Sequence, residues 1–389
     1  MSDSTSWASP GGPTPDAPRI DGAASPYAPA TQSVAPAGTP SAPYGIVPPA
    51  PGWTPPPKPG LIPLRPIEFG TVIGASFQVL RRNPRPTFGA ALLLNALVVF
   101  ISSGITTVIL FSGIDRASRA NLADSPTIVF GAFALALVAS ILAIGISVVA
   151  QAMLQGIISV EVSRATLGEK LTLRQLVALG RGRWWALIGW TALVGVAVFT
   201  ALVVLIGLSI GFFIAGEPAA IAGGVVFLIF GFLGYVVLAV WLSTKVAFVP
   251  AAIIVERLPL GAALRRSWTL VRGAFWRVFG TMILIIVMVN VASSVVATPF
   301  QFAASFAFPV VNPAGELESD LTLFLVLNLV VVAITAVIGA IGSVITTAAA
   351  SLLYIDRRMR TEGLDLELQR HVELRASGVA GDDPYLTAP

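Results

Sequence analysis

Six stretches of this 389-residue chain run for more than twenty residues without a single charge: Phe88–Phe111, Ile128–Ser159, Trp184–Ala215, Ile221–Ser243, Val278–Phe300 and Leu321–Tyr354. About 20 apolar residues in a helix cross the roughly 30 Å hydrocarbon layer of a bilayer. Inside that layer only helices and closed barrels satisfy their own backbone hydrogen bonds. Six transmembrane helices are therefore predicted, in an all-α membrane protein. Composition agrees, with 55% hydrophobic and only 11% charged residues, against roughly 25% charged in a soluble domain. Several runs exceed the minimum by many residues, which predicts tilt or helices that project beyond the bilayer.

Charge then orients the spans. The connectors after the first, third and fifth runs carry only Arg116 and Arg119 as basic residues, and the last contains the acidic "GELESD". Every other basic residue except Lys245 falls on the opposite side. By the positive-inside rule both termini are predicted in the cytoplasm, in a multi-pass plasma-membrane protein. The excess of +4 is small and scattered, which argues against nucleic acid as a partner. Cysteine is absent, so no thiolate site exists. The first 60 residues hold 16 of the 29 prolines with neither a basic start nor an apolar core. They read as a disordered Pro/Ala/Gly-rich cytoplasmic tail, and no cleaved signal peptide is expected.

An internal repeat organises the rest. "IEFGTVIGASFQVLRRNPRPTFG" (Ile67–Gly89) aligns without gaps on "LPLGAALRRSWTLVRGAFWRVFG" (Leu258–Gly280), sharing Gly70/Gly261, Ser76/Ser267, Arg81/Arg272, Phe88/Phe279 and Gly89/Gly280. A shorter version, Leu171–Gly189, precedes the third run. The even-numbered runs end alike, with Glu161, Glu256 or Asp356 closely followed by arginine. Repeats of this kind set the architecture before any single motif does. Two spans per unit make the units parallel, about an axis along the membrane normal. The prediction is three helical-hairpin repeats near 61–160, 165–256 and 257–356, each led by an interfacial amphipathic helix. An amphipathic helix over 357–375 and a disordered tail over 376–389 complete the chain.

Ile67, Val72, Ile73, Phe77 and Leu80 in the first lead-in segment, and Leu260, Leu264, Trp268, Val271 and Phe275 in its partner, recur at helical spacing. Such helices are predicted to lie in the interface, the apolar face in the acyl boundary and the arginines among headgroups. Asn83–Pro84 ends the first and turns the chain inward. Arg81, Arg82, Arg265, Arg266 and Arg272 are candidate contacts for anionic lipid, each worth roughly 1 kcal/mol near a charged leaflet. The same clusters serve as topology determinants, a role that needs no ligand. Trp184, Trp185, Trp268 and Trp276 lie at this level and read as aromatic-belt anchors.

Catalytic chemistry is hard to find. Paired carboxylates, histidines or a metal cage are wanting, and the single histidine, His371, sits in a polar C-terminal segment. The three exit acids each have a nearby arginine, which favours ion pairing over catalysis. Gly207 and Gly211 space as GxxxG, read as close helix packing. Lys245 is the exception, with apolar sequence on both sides. It lies eleven residues before Glu256, while Gln151 and Thr346 lie ten before Glu161 and Asp356. Two readings stay open. Lys245, Gln151 and Thr346 form an intramembrane polar cluster, or Lys245 snorkels to the interface.

The stretches "PLRPIEFGTVIGASFQVLRRNPRPTFG", "PAAIIVERLPLGAALRRSWTLVRGAFWRVFG" and "LLYIDRRMRTEGLDLEL" together resemble the membrane domain attached to some glycerophosphoryl diester phosphodiesterases, and found in free-standing bacterial membrane proteins. The likeness covers about Leu61 to Arg370. It implies a multi-spanning helical domain in the plasma membrane. The phosphodiesterase activity of that family belongs to a separate soluble barrel with catalytic histidines and metal-binding acids, so fold and location carry over and the activity does not. The expectation is a non-enzymatic scaffold, lipid-interacting or accessory module without cofactor, its partners the bilayer with its anionic lipids and a protein left unidentified. The alternative is a transporter or channel with a polar site near Lys245.

Overall fold

The computed structural model describes residues 60–119, 125–214, 216–311, 317–379 and 381–386, all within one compact unit. The tail expected over 1–60 lies outside the described residues apart from Gly60. Among the described residues every regular element is helical. In order these are α1 (Phe69–Arg82), a π-turn (Arg85–Gly89), α2 (Ala90–Arg119), α3 (Ser125–Thr166), α4 (Leu173–Leu179), α5 (Trp184–Ile214), α6 (Pro218–Val246), α7 (Val249–Ile254), α8 (Leu260–Val271), α9 (Phe275–Val311), α10 (Leu317–Glu362) and α11 (Leu364–Ala376).

Six helical segments are long and apolar enough to cross a membrane: Arg85–Ile109, Thr127–Thr166, Trp184–Ile214, Pro218–Ile254, Phe275–Ala303 and Val326–Glu362. The protein is a multi-pass membrane protein by this measure. Large apolar side chains point outward along these spans, Phe130 at 76% and Val295 at 69% exposed among them. A water-soluble surface does not carry so continuous an apolar belt. The overlong runs materialise as overlong helices. α3 has 42 residues and α10 has 46. At 1.5 Å per residue each is about 60–70 Å long, about twice the hydrocarbon thickness.

These two helices organise the molecule. α10 packs against α1, α2, α3 and α9, while α3 packs against α2, α5 and α7. The hydrophobic core does not lie midway along the spans. It gathers where α3, α7 and α10 end, around Ile158, Val162, Phe248, Ile253, Leu352 and Tyr354. Leu61, Ile62, Leu64 and Ile67, from the strap that precedes α1, belong to the same core. Gly60 starts that strap against the α3 terminus, where Leu61 N–H donates to Ala165 O at 2.9 Å. A Cβ on Gly60 would stand 2.0 Å from the same oxygen, so no side chain fits.

Two sequence expectations change here. Gly207 and Gly211 face open space rather than a neighbouring helix. The close approach of α5 and α6 uses Gly231 instead, where a Cβ would meet Leu205 Cδ1 at 2.5 Å. Spacing alone does not say which glycine faces the partner helix. The second change concerns α1, whose Val72, Ala75, Ser76 and Val79 are buried while the helix packs against α10. Only Phe77, Gln78 and Arg81 of its second half stand clearly outside. α1 is thus a docked helix with an outward lip, not one floating on lipid. Its predicted end holds, since it stops at Arg82 and Asn83–Pro84 leads into the π-turn.

Candidate functional site

Where the return helices end, the chain buries charge. Asp356, fully buried near the end of α10, accepts the Ile67 backbone N–H at 2.9 Å. Arg360, one turn on, donates to both its oxygens at 2.9 and 3.0 Å, and Arg277 of α9 lies 3.2 Å away. The same two arginines each donate to Ile67 O at 2.8 Å. The strap before α1 is therefore held by an acid and two guanidiniums from α9 and α10. A buried carboxylate is tolerable only with such pairing.

Glu256, just beyond α7, is the second buried acid. Arg266 of α8 donates Nε to both its oxygens at 3.2 and 3.1 Å, and Arg358 Nε stands 3.4 Å from Oε1. The Tyr354 hydroxyl donates to the same oxygen. Burial pushes the Glu256 carboxyl up from its ordinary value, the guanidiniums of Arg358 and Arg266 oppose this, and Glu362 adds to the rise. Arg266 and Arg358 both also bind Glu362, at 2.7 and 3.0 Å. The following residue, Arg257, takes φ +58°, a left-handed conformation that costs a non-glycine roughly 1 kcal/mol. Its guanidinium donates to Leu179 O at 3.1 Å, tying α7 to the end of α4.

Glu161 in α3 is the third. It accepts from Asn83 Nδ2 at 3.1 Å, and Asn83 also donates to Leu171 O at 2.9 Å. Arg82 attracts it electrostatically. Glu161 Oε2 and Arg82 Nε are buried without a hydrogen-bond partner among the described residues. A buried Ser351–Ser159 hydrogen bond of 3.0 Å joins α10 to α3 in the same layer.

The C-terminal segment closes this layer. A disordered tail over 376–389 is the sequence expectation, yet residues 381–386 fold back onto the helix ends. Tyr385 is buried, its hydroxyl bonded to Thr166 at the end of α3, and its carbonyl accepts from Arg358 Nη1 at 3.1 Å. Asp383 pairs with Arg164. Burial pushes the Tyr385 phenol up. No periodicity announces such a segment, because one tyrosine makes the anchor and its partners lie 219 residues earlier and 27 residues earlier in the chain.

The residues singled out by sequence fare unequally. Lys245 places its ammonium 5.3 Å from the Trp268 ring centre and 5.6 Å from that of Phe275. Gln151 is exposed, in a groove with Leu94, Asn95 and Ser147. Thr346 returns its hydroxyl to Gly342 O at 2.9 Å, within its own helix. The three side chains have separate surroundings and make no bond to one another. Among the candidate lipid arginines, Arg81, Arg265 and Arg272 are exposed. Arg82 is half-buried and reaches Glu169 O at 3.5 Å. Arg266 is a correction, since its guanidinium is committed to Glu256 and Glu362 and serves the interior. Trp185 and Trp276 stand out from the surface at 83% and 77%, while Trp184 donates its indole N–H to Val177 O at 3.2 Å and packs inside.

Among the described residues no group of three or more acids or histidines is arranged to hold a metal. No curated protein matches the chain, and no solved structure does. The family described as "Domain of unknown function (DUF7847)" matches residues 70–353, most of the chain. By that match the chain belongs to the DUF7847 family.

Proposed function

We propose that the protein is a non-enzymatic membrane module of a bacterial plasma membrane, lipid-interacting or accessory to other machinery, with both termini in the cytoplasm. Its six spans form three parallel hairpin units, and the buried acids mark the cytoplasmic end. Matching burial supports the repeat: Ser76 and Ser267 are both fully buried, as are Val72 and Ala263, while Phe77 and Trp268 are both exposed. The likeness to the phosphodiesterase-linked membrane domain enters here as a proposal of common architecture.

One observation carries this reading. The acids at the helix ends, the groups a catalyst or ion pathway would draw on, are engaged in joining helices: Asp356 to the strap, Glu256 to α8, Glu161 to Asn83. A transporter wants polar groups that converge, whereas Lys245, Gln151 and Thr346 have separate neighbours. The test is purification of the full chain from native membranes in mild detergent, with lipid, protein and small solutes quantified together. The reading expects enriched anionic phospholipid or a polypeptide at fixed stoichiometry. A retained non-lipid solute with neither of these contradicts it and restores the transporter.

A further inference from the structure

We propose that the seam between α9 and α10, beneath α1, is a binding site for one acyl chain of an anionic phospholipid, whose phosphate is held by Arg81. The proposal rests on the lipid-interacting reading and gives it a place. The groove is lined by Met288, Ala292 and Val296 of α9 and Ile338 and Ile341 of α10, with Phe77 of α1 at its mouth and a free volume of about 250 Å³. On α9 the lining runs from Met288 to Val296, eight helical steps or about 12 Å. Ser293 also lines it, but its hydroxyl is bonded to Val289 O at 2.6 Å. The lining therefore offers an alkyl chain contact without an unpaired donor. Gly342 lets the two helices close beneath, since a Cβ there would meet Val289 Cγ1 at 2.8 Å.

Charge chooses the occupant. Arg81 follows Phe77 by four residues, one turn along the same face of α1. It is exposed and makes no ion pair or hydrogen bond with any described residue. The groove supplies the apolar half of a site and Arg81 the cationic half. A related pair stands at the end of α8, where exposed Trp268 is followed by exposed Arg272 at the C-cap, in extended backbone. There the Lys245 ammonium lies over the Trp268 ring.

The test uses the full chain in nanodiscs of equimolar phosphatidylglycerol and phosphatidylcholine, extracted into mild detergent, with bound lipids counted by native mass spectrometry. Wild-type protein is expected to retain phosphatidylglycerol in preference. Arg81→Gln should lower that preference about fivefold, the value of one arginine near an anionic surface, and Arg81→Lys should restore most of it. Ala292→Phe, which fills the groove from an exposed position, should remove one bound lipid while the protein stays monodisperse and fully helical. Preference intact in both Arg81→Gln and Ala292→Phe, but lost in the double variant Arg265→Gln/Arg272→Gln, would overturn the groove and leave the lipid-interacting reading standing. No preference in wild-type protein would overturn both.

Discussion

Asp356→Ala is expected to destabilise the protein by about 3 kcal/mol, near the lower end of what removing one partner of a buried ion pair costs. The lower end applies because Arg277 and Arg360 keep about a third of their side-chain surface in solvent, 35% and 31%. Without the carboxylate, two guanidiniums face each other across the strap and the Ile67 N–H loses its acceptor. Each effect alone is modest; together they release the strap from α10. Arg360→Ala should cost less, about 1–2 kcal/mol, because Arg277 stays beside Asp356 and still donates to Ile67 O, and Asp356→Asn should fall between. Denaturant titration of helicity in detergent micelles measures all three. An Asp356→Ala transition coincident with wild type would show that the layer does not bear on stability.

The second large effect concerns Tyr385. Tyr385→Ala removes a fully buried ring, a change that costs roughly 3–5 kcal/mol in a closely packed site. The segment is short and tied down by few contacts, so the loss should surface as local release, not global melting. At about 3 kcal/mol the detached population rises by a hundredfold or more. Tyr385→Phe forfeits only the bond to Thr166 and should cost about 1 kcal/mol. Hydrogen exchange over 377–386, or limited proteolysis there, reads both variants. Exchange unchanged in Tyr385→Ala would mean that the Arg164–Asp383 pair and the Arg358 bond to the residue 385 carbonyl hold the segment without the ring.

What the sequence discloses of this molecule follows from where each signal originates. The spans are legible because the bilayer imposes a one-dimensional requirement. Ile221–Ser243 as expected lies inside α6, and α6 ends at Val246 just before the helix that carries Pro250. The exit acids are legible as a repeated feature, but their partners are legible only for Asp356, which Arg360 of the same motif engages. Arg164 pairs with Asp383 and Arg257 reaches Leu179 O, while Glu161 accepts from Asn83 and Glu256 from Arg266. The strap and the C-terminal anchor are not legible. Leu61–Ile67 and Tyr385 show no period, and their contacts bridge the whole length of the chain. Arg266 shows a different limit. Beside Arg265 it looks like one more surface cation, and only the fold shows that Arg265 faces outward and Arg266 inward to Glu256. Likewise Lys245, Gln151 and Thr346 share a depth counted from the exit acids, yet depth fixes one coordinate and rotation about each helix decides the neighbours.

The proposal that the buried charged layer faces the cytoplasm can be tested with the fewest assumptions through the cysteine-free sequence. Single Ala219→Cys and Arg370→Cys variants place one thiol at the start of α6, near the α5–α6 turn, and one on α11, both at exposed positions. On intact cells a membrane-impermeant maleimide should label the Ala219→Cys variant and spare Arg370→Cys until the membrane is permeabilised. The reverse pattern would turn the molecule over, and labelling of both on intact cells would contradict the three spans that separate them.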